Sequence, residues 1–301
     1  MPAATRKLIR SLGCELTYDL IETTQRHLAD GIARQPADAL IERDLAYGPD
    51  ARHRLDIFRQ ADARDAPVLL FAHGGGFVMG DKRLPNLPFH DNIGRWAAGA
   101  GWIGATMNYR LAPDHMWPSG GEDIARAVAW LKAEVSAYGG NPRRIVLMGH
   151  SAGATHVATY LARPQEQPAS GPGVMGAVLV SGIYDPAAGA PNAYQLAYYG
   201  TDRKRYAEFS TVPGLVKTNV PLCLAICEYD AIDFRRQAAT LVGTFGRARG
   251  DMPRIHWLAG HNHLSAPLSI GTAYDALGPL VRDFVRGLMP DSVQEAFGRT
   301  A

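Results

Sequence analysis

The chain has 301 residues, of which 47% are hydrophobic, 20% charged and 9% aromatic. That is enough apolar material for one large core, and glycine shows no three-residue period, so disordered and collagen-like chains are excluded. Thirty-one basic and 29 acidic residues leave a net charge of +2, with basic residues gathered only in pairs such as Arg143-Arg144 and Arg235-Arg236, so nucleic acid is not an expected partner.

The opening Met1-Pro2-Ala3 is followed by Arg6, Lys7 and Arg10 without an apolar run, so no secretory signal is expected. Residues 14–30 read as an amphipathic helix with Leu16, Leu20, Ile21 and Leu28 on one face. Strands are expected at 41–47 and 53–58, across the turn Gly48-Pro49-Asp50. The run 66–72 is continuously apolar, as central parallel strands are, and it empties into His73-Gly74-Gly75-Gly76-Phe77. A helix near 89–99, a strand near 102–108, the loop 108–113, a helix near 121–137 and a strand at 144–148 follow.

The second half repeats the rhythm: helix 152–163, strands 175–181 and 221–226, helix 231–247, strand 254–258 and helix 270–287. Such alternation predicts an α/β fold, a mostly parallel sheet with helices on both faces. The aromatic- and proline-rich interval 184–219 breaks the pattern and is expected to form a small cap on a single domain.

Cys14, Cys223 and Cys227 cannot all pair, and the last two lie four apart on one strand, too far for a bridge. They read as small buried hydrophobes. No apolar stretch approaches the ~18 residues that span a bilayer. A cytoplasmic protein with no membrane partner is the expectation.

The most informative residues are Gly149-His150-Ser151-Ala152-Gly153, between a strand and a helix. A tight strand-to-helix turn needs small residues two before and two after its apex, and it thrusts the apex side chain outward. Ser151 is therefore the candidate nucleophile. The three glycines after His73 let backbone N–H groups converge without side-chain interference. Those of Gly75 and Gly76, with that of Ala152, are candidate donors to a developing oxyanion. A phosphate loop would need a different glycine spacing. His73 itself reads as an anchor for this loop.

A serine nucleophile needs a base and the base an orienting carboxylate, in the chain order Ser, Asp or Glu, His. The strand at 221–226 runs into Cys227-Glu228-Tyr229-Asp230-Ala231-Ile232-Asp233. A carboxylate at a strand's C-terminal end shares the nucleophile's sheet edge. Asp230 is preferred, with Glu228 and Asp233 as alternatives. The last loop, Gly260-His261-Asn262-His263-Leu264-Ser265, offers two imidazoles. His263 lies deeper in the loop and is preferred over His261, whereas His256 alternates within a strand. A zinc reading of His261 and His263 lacks a third ligand, so no metal and no cofactor are expected.

Together these residues resemble the α/β-hydrolase superfamily, in its bacterial hormone-sensitive-lipase-like esterases. The His73–Phe77 loop, the Asn108–Pro113 stretch, the Gly149–Gly153 elbow, Glu228-Tyr229-Asp230 and Gly260-His261-Asn262-His263 carry the likeness, over residues 45–287. Residues 47–58 also look like the first strands of feruloyl-esterase-like proteins and aryl formamidases. In the formamidase form an aromatic commonly follows two glycines; Gly76 stands there instead and favours a carboxylic ester.

The resemblance implies a serine carboxylesterase acting through an acyl-enzyme on Ser151, with a cap from about 1–40 and 184–219. Phe77, Val78, Tyr184, Tyr194, Tyr198 and Leu264 are candidate substrate contacts, and so short a cap suggests small, short-acyl esters. An aryl formamidase or amide hydrolase, and a non-catalytic binding protein on the same fold, remain alternatives, and homo-oligomer formation is left open.

Overall fold

The computed structural model describes residues 1–32 and 39–289, whose strands form one eight-stranded sheet. They are β1 (Leu40–Ala46), β2 (Arg54–Arg59), β3 (Ala66–Ala72), β4 (Ile103–Met107), β5 (Gly140–His150), β6 (Gly176–Val180), β7 (Leu222–Tyr229) and β8 (Arg254–Asn262). They lie in the order β1-β2-β4-β3-β5-β6-β7-β8. β2 runs antiparallel to both β1 and β4, and every other pair is parallel. β3, β4 and β6 are buried at every residue, and β3 and β6 accordingly read as unbroken apolar runs, while β4 buries one polar residue, Thr106.

The helices are α1 (Ala3–Ser11), α2 (Tyr18–Ile32), α3 (Asp91–Gly99), α4 (Ser119–Glu134), α5 (Ala152–Ala162), α6 (Ala193–Tyr199), α7 (Val212–Lys217), α8 (Ile232–Arg249), α9 (Ser265–Leu268) and α10 (Leu277–Gly287). They divide the core by the two-residue period of the strands. Val68 and Leu70 of β3 share a cluster with Ile124 of α4, Val157 of α5 and Leu241 of α8. Leu69 and Phe71 join Ile93 and Trp96 of α3 and Phe284 of α10 on the opposite face. From β3 the chain turns to β4 on one side and then crosses to β5 on the other. In such sheets a crevice opens at that switch point, outside the strands' C-terminal ends. Among the described residues, no helix is long and apolar enough to cross a membrane.

Two expectations need correcting. The helix expected at 14–30 runs from Tyr18 to Ile32, and a separate helix, Ala3–Ser11, precedes it, because Gly13 takes a left-handed φ of +76° and breaks the run. The helix expected from 270 begins at Leu277. The Asp275 carboxylate accepts the Gly271 and Gly278 N–H groups (2.9 and 2.6 Å) and holds the intervening chain as a turn. The interval 184–219 contains α6, α7 and two short 3-10 segments, and Tyr198, Tyr199, Tyr206 and Phe209 cluster on Phe77 and Ala152. Of the cap expected over about 1–40, residues 33–38 lie outside the described residues.

A buried ion network fastens the segment that follows the glycine loop. The Asp56 carboxylate on β2 is fully buried and accepts from Lys82 Nζ (2.6 Å), Arg43 Nη1 (2.7 Å) and the Asp44 N–H (2.8 Å). Arg43 also grips Asp91 in the first turn of α3, and Arg52 donates to the carbonyls of Gly80 (2.9 Å) and Tyr109 (2.7 Å). Removing one partner of a buried pair leaves the other charge stranded, typically at about 3–5 kcal/mol. Because Lys82 keeps Asp44 (2.8 Å) and Arg43 keeps Asp91, Asp56→Ala is expected to lower stability toward the lower end of that range, by about 3 kcal/mol, in urea unfolding. A loss within ~0.5 kcal/mol would show that the network behaves like a surface pair.

Buried histidines make stability depend on pH. Burial pushes His90 and His261 down to about 4 and His156 down to about 3, against an ordinary 6.5. Below pH 6.5 the unfolded chain takes up protons at these rings while the folded chain does not. Stability therefore falls as pH drops from 6.5 toward 4, by up to about 1.4 kcal/mol per pH unit for each ring. Replacing His156 by Phe is expected to shrink the stability difference between pH 7 and pH 5 by about 2 kcal/mol in urea titrations. An unchanged difference would mean that His156 is protonated equally in both states.

Candidate active site

Each parallel strand but one delivers a polar residue to the same sheet edge at the point where it ends. β3 hands over to His73 and the glycine loop, β5 to Ser151, β6 to Ser181, β7 to Asp230 and β8 to His263. Register makes this possible: Ala72 pairs with Gly149, His150 with Val180 and Tyr229 with Asn262. The strand ends are level, so residues far apart in sequence meet.

Ser151 occupies the turn between β5 and α5 with φ 54° and ψ −119°, a backbone region that non-glycine residues seldom enter. Its N–H donates to the Val180 carbonyl (2.8 Å). The turn is too tight for side chains at its flanks, since a Cβ at Gly153 would overlap the carbonyl oxygen of Ala72. The serine is held from both sides, and only its side chain is free to project.

The glycine loop faces this turn. Gly75 has φ +139°, and a Cβ there would overlap the Met79 carbonyl, so only glycine fits. Its carbonyl accepts the N–H groups of Val78 and Met79, closing the loop on itself. Among the described residues, the N–H groups of Gly75, Gly76 and Ala152 have no partner in these turn and cap contacts. His73 is fully buried, bonds through Nδ1 to the Gly74 carbonyl (2.6 Å) and stacks on Tyr109 (4.3 Å). Burial keeps its ring neutral, and its contacts are those of a loop anchor.

His263 Nδ1 lies 2.7 Å from Asp230 Oδ1. The other oxygen, Oδ2, accepts from the Ser181 hydroxyl (2.6 Å) and the Cys227 N–H (2.8 Å), so the buried carboxylate is bonded on both sides. With Nδ1–H donated to a carboxylate, the lone pair of the neutral imidazole is at Nε2. That Nε2 is buried and, among the described residues, has no hydrogen-bond partner. Phe234 stacks on the imidazole face at 4.2 Å, and the His150 ring stands 4.8 Å away. The competing residues are engaged elsewhere. Glu228 accepts the Gly260 N–H (2.6 Å), Asp233 is exposed beside Arg236 (3.7 Å), and His261 Nδ1 meets Ser265 Oγ (3.0 Å).

Ser151, His263 and the glycine loop open onto one cavity of about 340 Å³. Of the candidate substrate contacts, Phe77, Tyr194 and Leu264 line it. Tyr184 and Tyr198 do not, because both are spent on packing. Tyr184 sits in the main core, and Tyr198 lies parallel to Phe77 at 4.4 Å with its hydroxyl 3.3 Å from His156 Nδ1. The wall also includes Leu16, Ile21 and Gln25 from the N-terminal region, Asn192 and Gln195 from the later interval, and Phe234. Sequence reasoning missed Ser181, Phe234 and Gln25. Only Ser181 carried a signal, as a polar residue directly after an apolar strand.

Comparison with known proteins identifies the family and the fold. A family model described as the alpha/beta hydrolase fold matches residues 69–245. Esterase LipQ of Mycobacterium tuberculosis is 34% identical over 194 residues, which are 60% of this chain and 44% of that protein. Esterase LipI of the same organism is 39% identical over 154 residues, 49% of this chain and 46% of that one. The chain thus spans less than half the length of these relatives. Among solved structures, esterase B from Lactobacillus rhamnosis superposes with a TM-score of 0.72 at 18% identity, over 95% of each chain. An esterase of Pyrobaculum calidifontis does so with 0.70 at 19%, over 96% of this chain and 98% of the other; at such identities the likeness concerns fold. With the family model covering more than half of its residues, this chain belongs to the α/β-hydrolase family, in the hormone-sensitive-lipase-like branch.

Proposed function

We propose that the protein is a serine carboxylesterase that hydrolyses small, uncharged carboxylic esters. The observation that carries this reading is the meeting, on one cavity, of a serine at a strained elbow and an imidazole bonded to a buried carboxylate. The relatives named esterase agree with it.

In the proposed reaction the Ser151 hydroxyl attacks the ester carbonyl carbon while His263 Nε2 takes its proton. Asp230 holds the ring in the tautomer that leaves Nε2 free and offsets the positive charge of the imidazolium. The carbonyl oxygen, now negative, receives hydrogen bonds from the N–H groups of Gly75, Gly76 and Ala152, each typically worth ~3 kcal/mol in the transition state. The tetrahedral intermediate collapses, its carbon–oxygen bond to the alcohol breaks, and His263 returns the proton to that alcohol. Water then repeats the sequence on the acyl-enzyme and releases the acid.

The cavity limits the substrate. Its wall is mostly apolar and, among the described residues, carries no Lys, Arg, Asp or Glu, so a charged substrate would lose its hydration without an ionic partner. A volume of about 340 Å³ is near the low end of ligand pockets, which run from about 300 to 1,000 Å³. Segments from residues 16–25 and 192–195 wall the cavity, as a cap would.

Steady-state kinetics on butanoyl and dodecanoyl aryl esters test the whole reading. Ser151→Ala is expected to lower kcat by on the order of 10⁶. Asp230→Asn is expected to be far more damaging than Glu228→Gln, and the butanoyl ester to be preferred. A Ser151→Ala enzyme with a tenth of wild-type activity would remove the nucleophile from the account. The reverse ranking of the two acid variants would transfer the orienting role to Glu228.

A further inference from the structure

The residue before the proposed nucleophile has a feature the reaction scheme leaves unused. His150 ends β5, is almost fully buried and lines the cavity together with Ser151 and His263. Its Nε2 lies 2.8 Å from the backbone carbonyl oxygen of His263, 113 residues away in sequence. A carbonyl only accepts, so Nε2 carries the proton and donates it. Among the described residues, this is the one hydrogen bond between the serine turn (residues 149–153) and the segment 260–265, which spans the end of β8 and the start of α9.

The seat of this imidazole is shaped for it. A Cβ at Gly74 would come 2.8 Å from His150 Nδ1, so the glycine loop makes room for the ring. The ring also stands 4.8 Å from that of His263, on which Phe234 stacks at 4.2 Å. Burial and the neighbouring His263 keep His150 neutral, which leaves the Nε2–H tautomer as the form that fits.

The elbow fixes Ser151 rigidly, whereas His263 sits in a loop whose ring must meet the serine to within a fraction of an ångström. We infer that His150 is a positioning residue, whose Nε2–H bond to the His263 carbonyl sets the distance between the serine turn and the base loop. This rests on the esterase reading above, because it concerns the alignment of that same pair. A misplacement of about 1 Å at a reacting centre can cost 10²-fold in rate. The inference also assigns a requirement to this position: a side chain with a donor that reaches across to the loop. Glutamine can meet it, and phenylalanine, which keeps the ring's bulk, cannot.

The test compares His150→Phe, His150→Gln and Ser151→Ala with the wild type on one butanoyl ester, each checked for folding by near-UV circular dichroism. His150→Phe is expected to lose about 10- to 100-fold in kcat with KM changed less than about threefold. His150→Gln is expected to recover kcat to within about threefold to fivefold of wild type by restoring the donor. A folded His150→Phe with wild-type kcat, or a Gln variant no better than Phe, would overturn the positioning role while an inert Ser151→Ala left the esterase reading standing. An active Ser151→Ala would overturn both. Should the variants fail to fold, long-range ¹H–¹⁵N spectra of the wild type decide instead. An Nε2-protonated, neutral His150 near pH 7 is expected, and an Nδ1-protonated ring would refute the bond.

Discussion

The turn between β5 and α5 is the constraint on which the site depends. It forces Ser151 into a left-handed backbone conformation, and it survives because the surrounding sheet leaves it no alternative. The Ser151 N–H is tied to β6, Gly153 presses against the end of β3, and the glycine loop closes above. These contacts come from β6, from β3 and from the loop that follows β3, so the strain is carried by the neighbouring strands as well as by the five-residue turn. A rigid scaffold of this kind places a nucleophile at low entropic cost when substrate arrives.

The second half of the site is built on a different principle. Asp230 and His263 lie on loops, and loops are held by hydrogen bonds rather than by core packing. The carboxylate is bonded to Ser181, Cys227 and His263, while Asn262, next to the imidazole, reaches Thr24 of α2 (2.9 Å). The same α2 lies beside the cavity through Ile21 and Gln25. The N-terminal region is therefore joined both to the wall of the binding space and to the loop carrying the proposed base. Phe234 and His150 flank the imidazole and restrict the directions in which it can swing.

Much of this was legible in the sequence, and the exceptions have physical causes. Strands buried on both faces are mostly apolar, so β3 and β6 were evident, and a tight strand-to-helix turn needs its flanking glycines. Asp230 and His263 could be singled out because the ends of parallel strands share one edge. The N-terminal helix was started too early because hydrophobic spacing does not register the cap at Thr17, whose hydroxyl accepts the Leu20 N–H where α2 begins. Tyr184 and Tyr198 were misjudged as cavity residues because an aromatic near a site reads the same whether it faces ligand or packs against Phe77 or the core. Ser181, Phe234 and Gln25 reach the site through long-range contacts, and local pattern holds no record of those.

The most direct test of the account is exposure of the folded protein to a small alkyl fluorophosphonate, with intact-mass analysis and peptide mapping. Only a serine activated by a base beside an oxyanion site displaces the fluoride rapidly, so no substrate need be guessed. One adduct per chain is expected, mapped to Ser151, and none on Ser151→Ala. A folded protein that stays unmodified, or one modified at another residue, would contradict it.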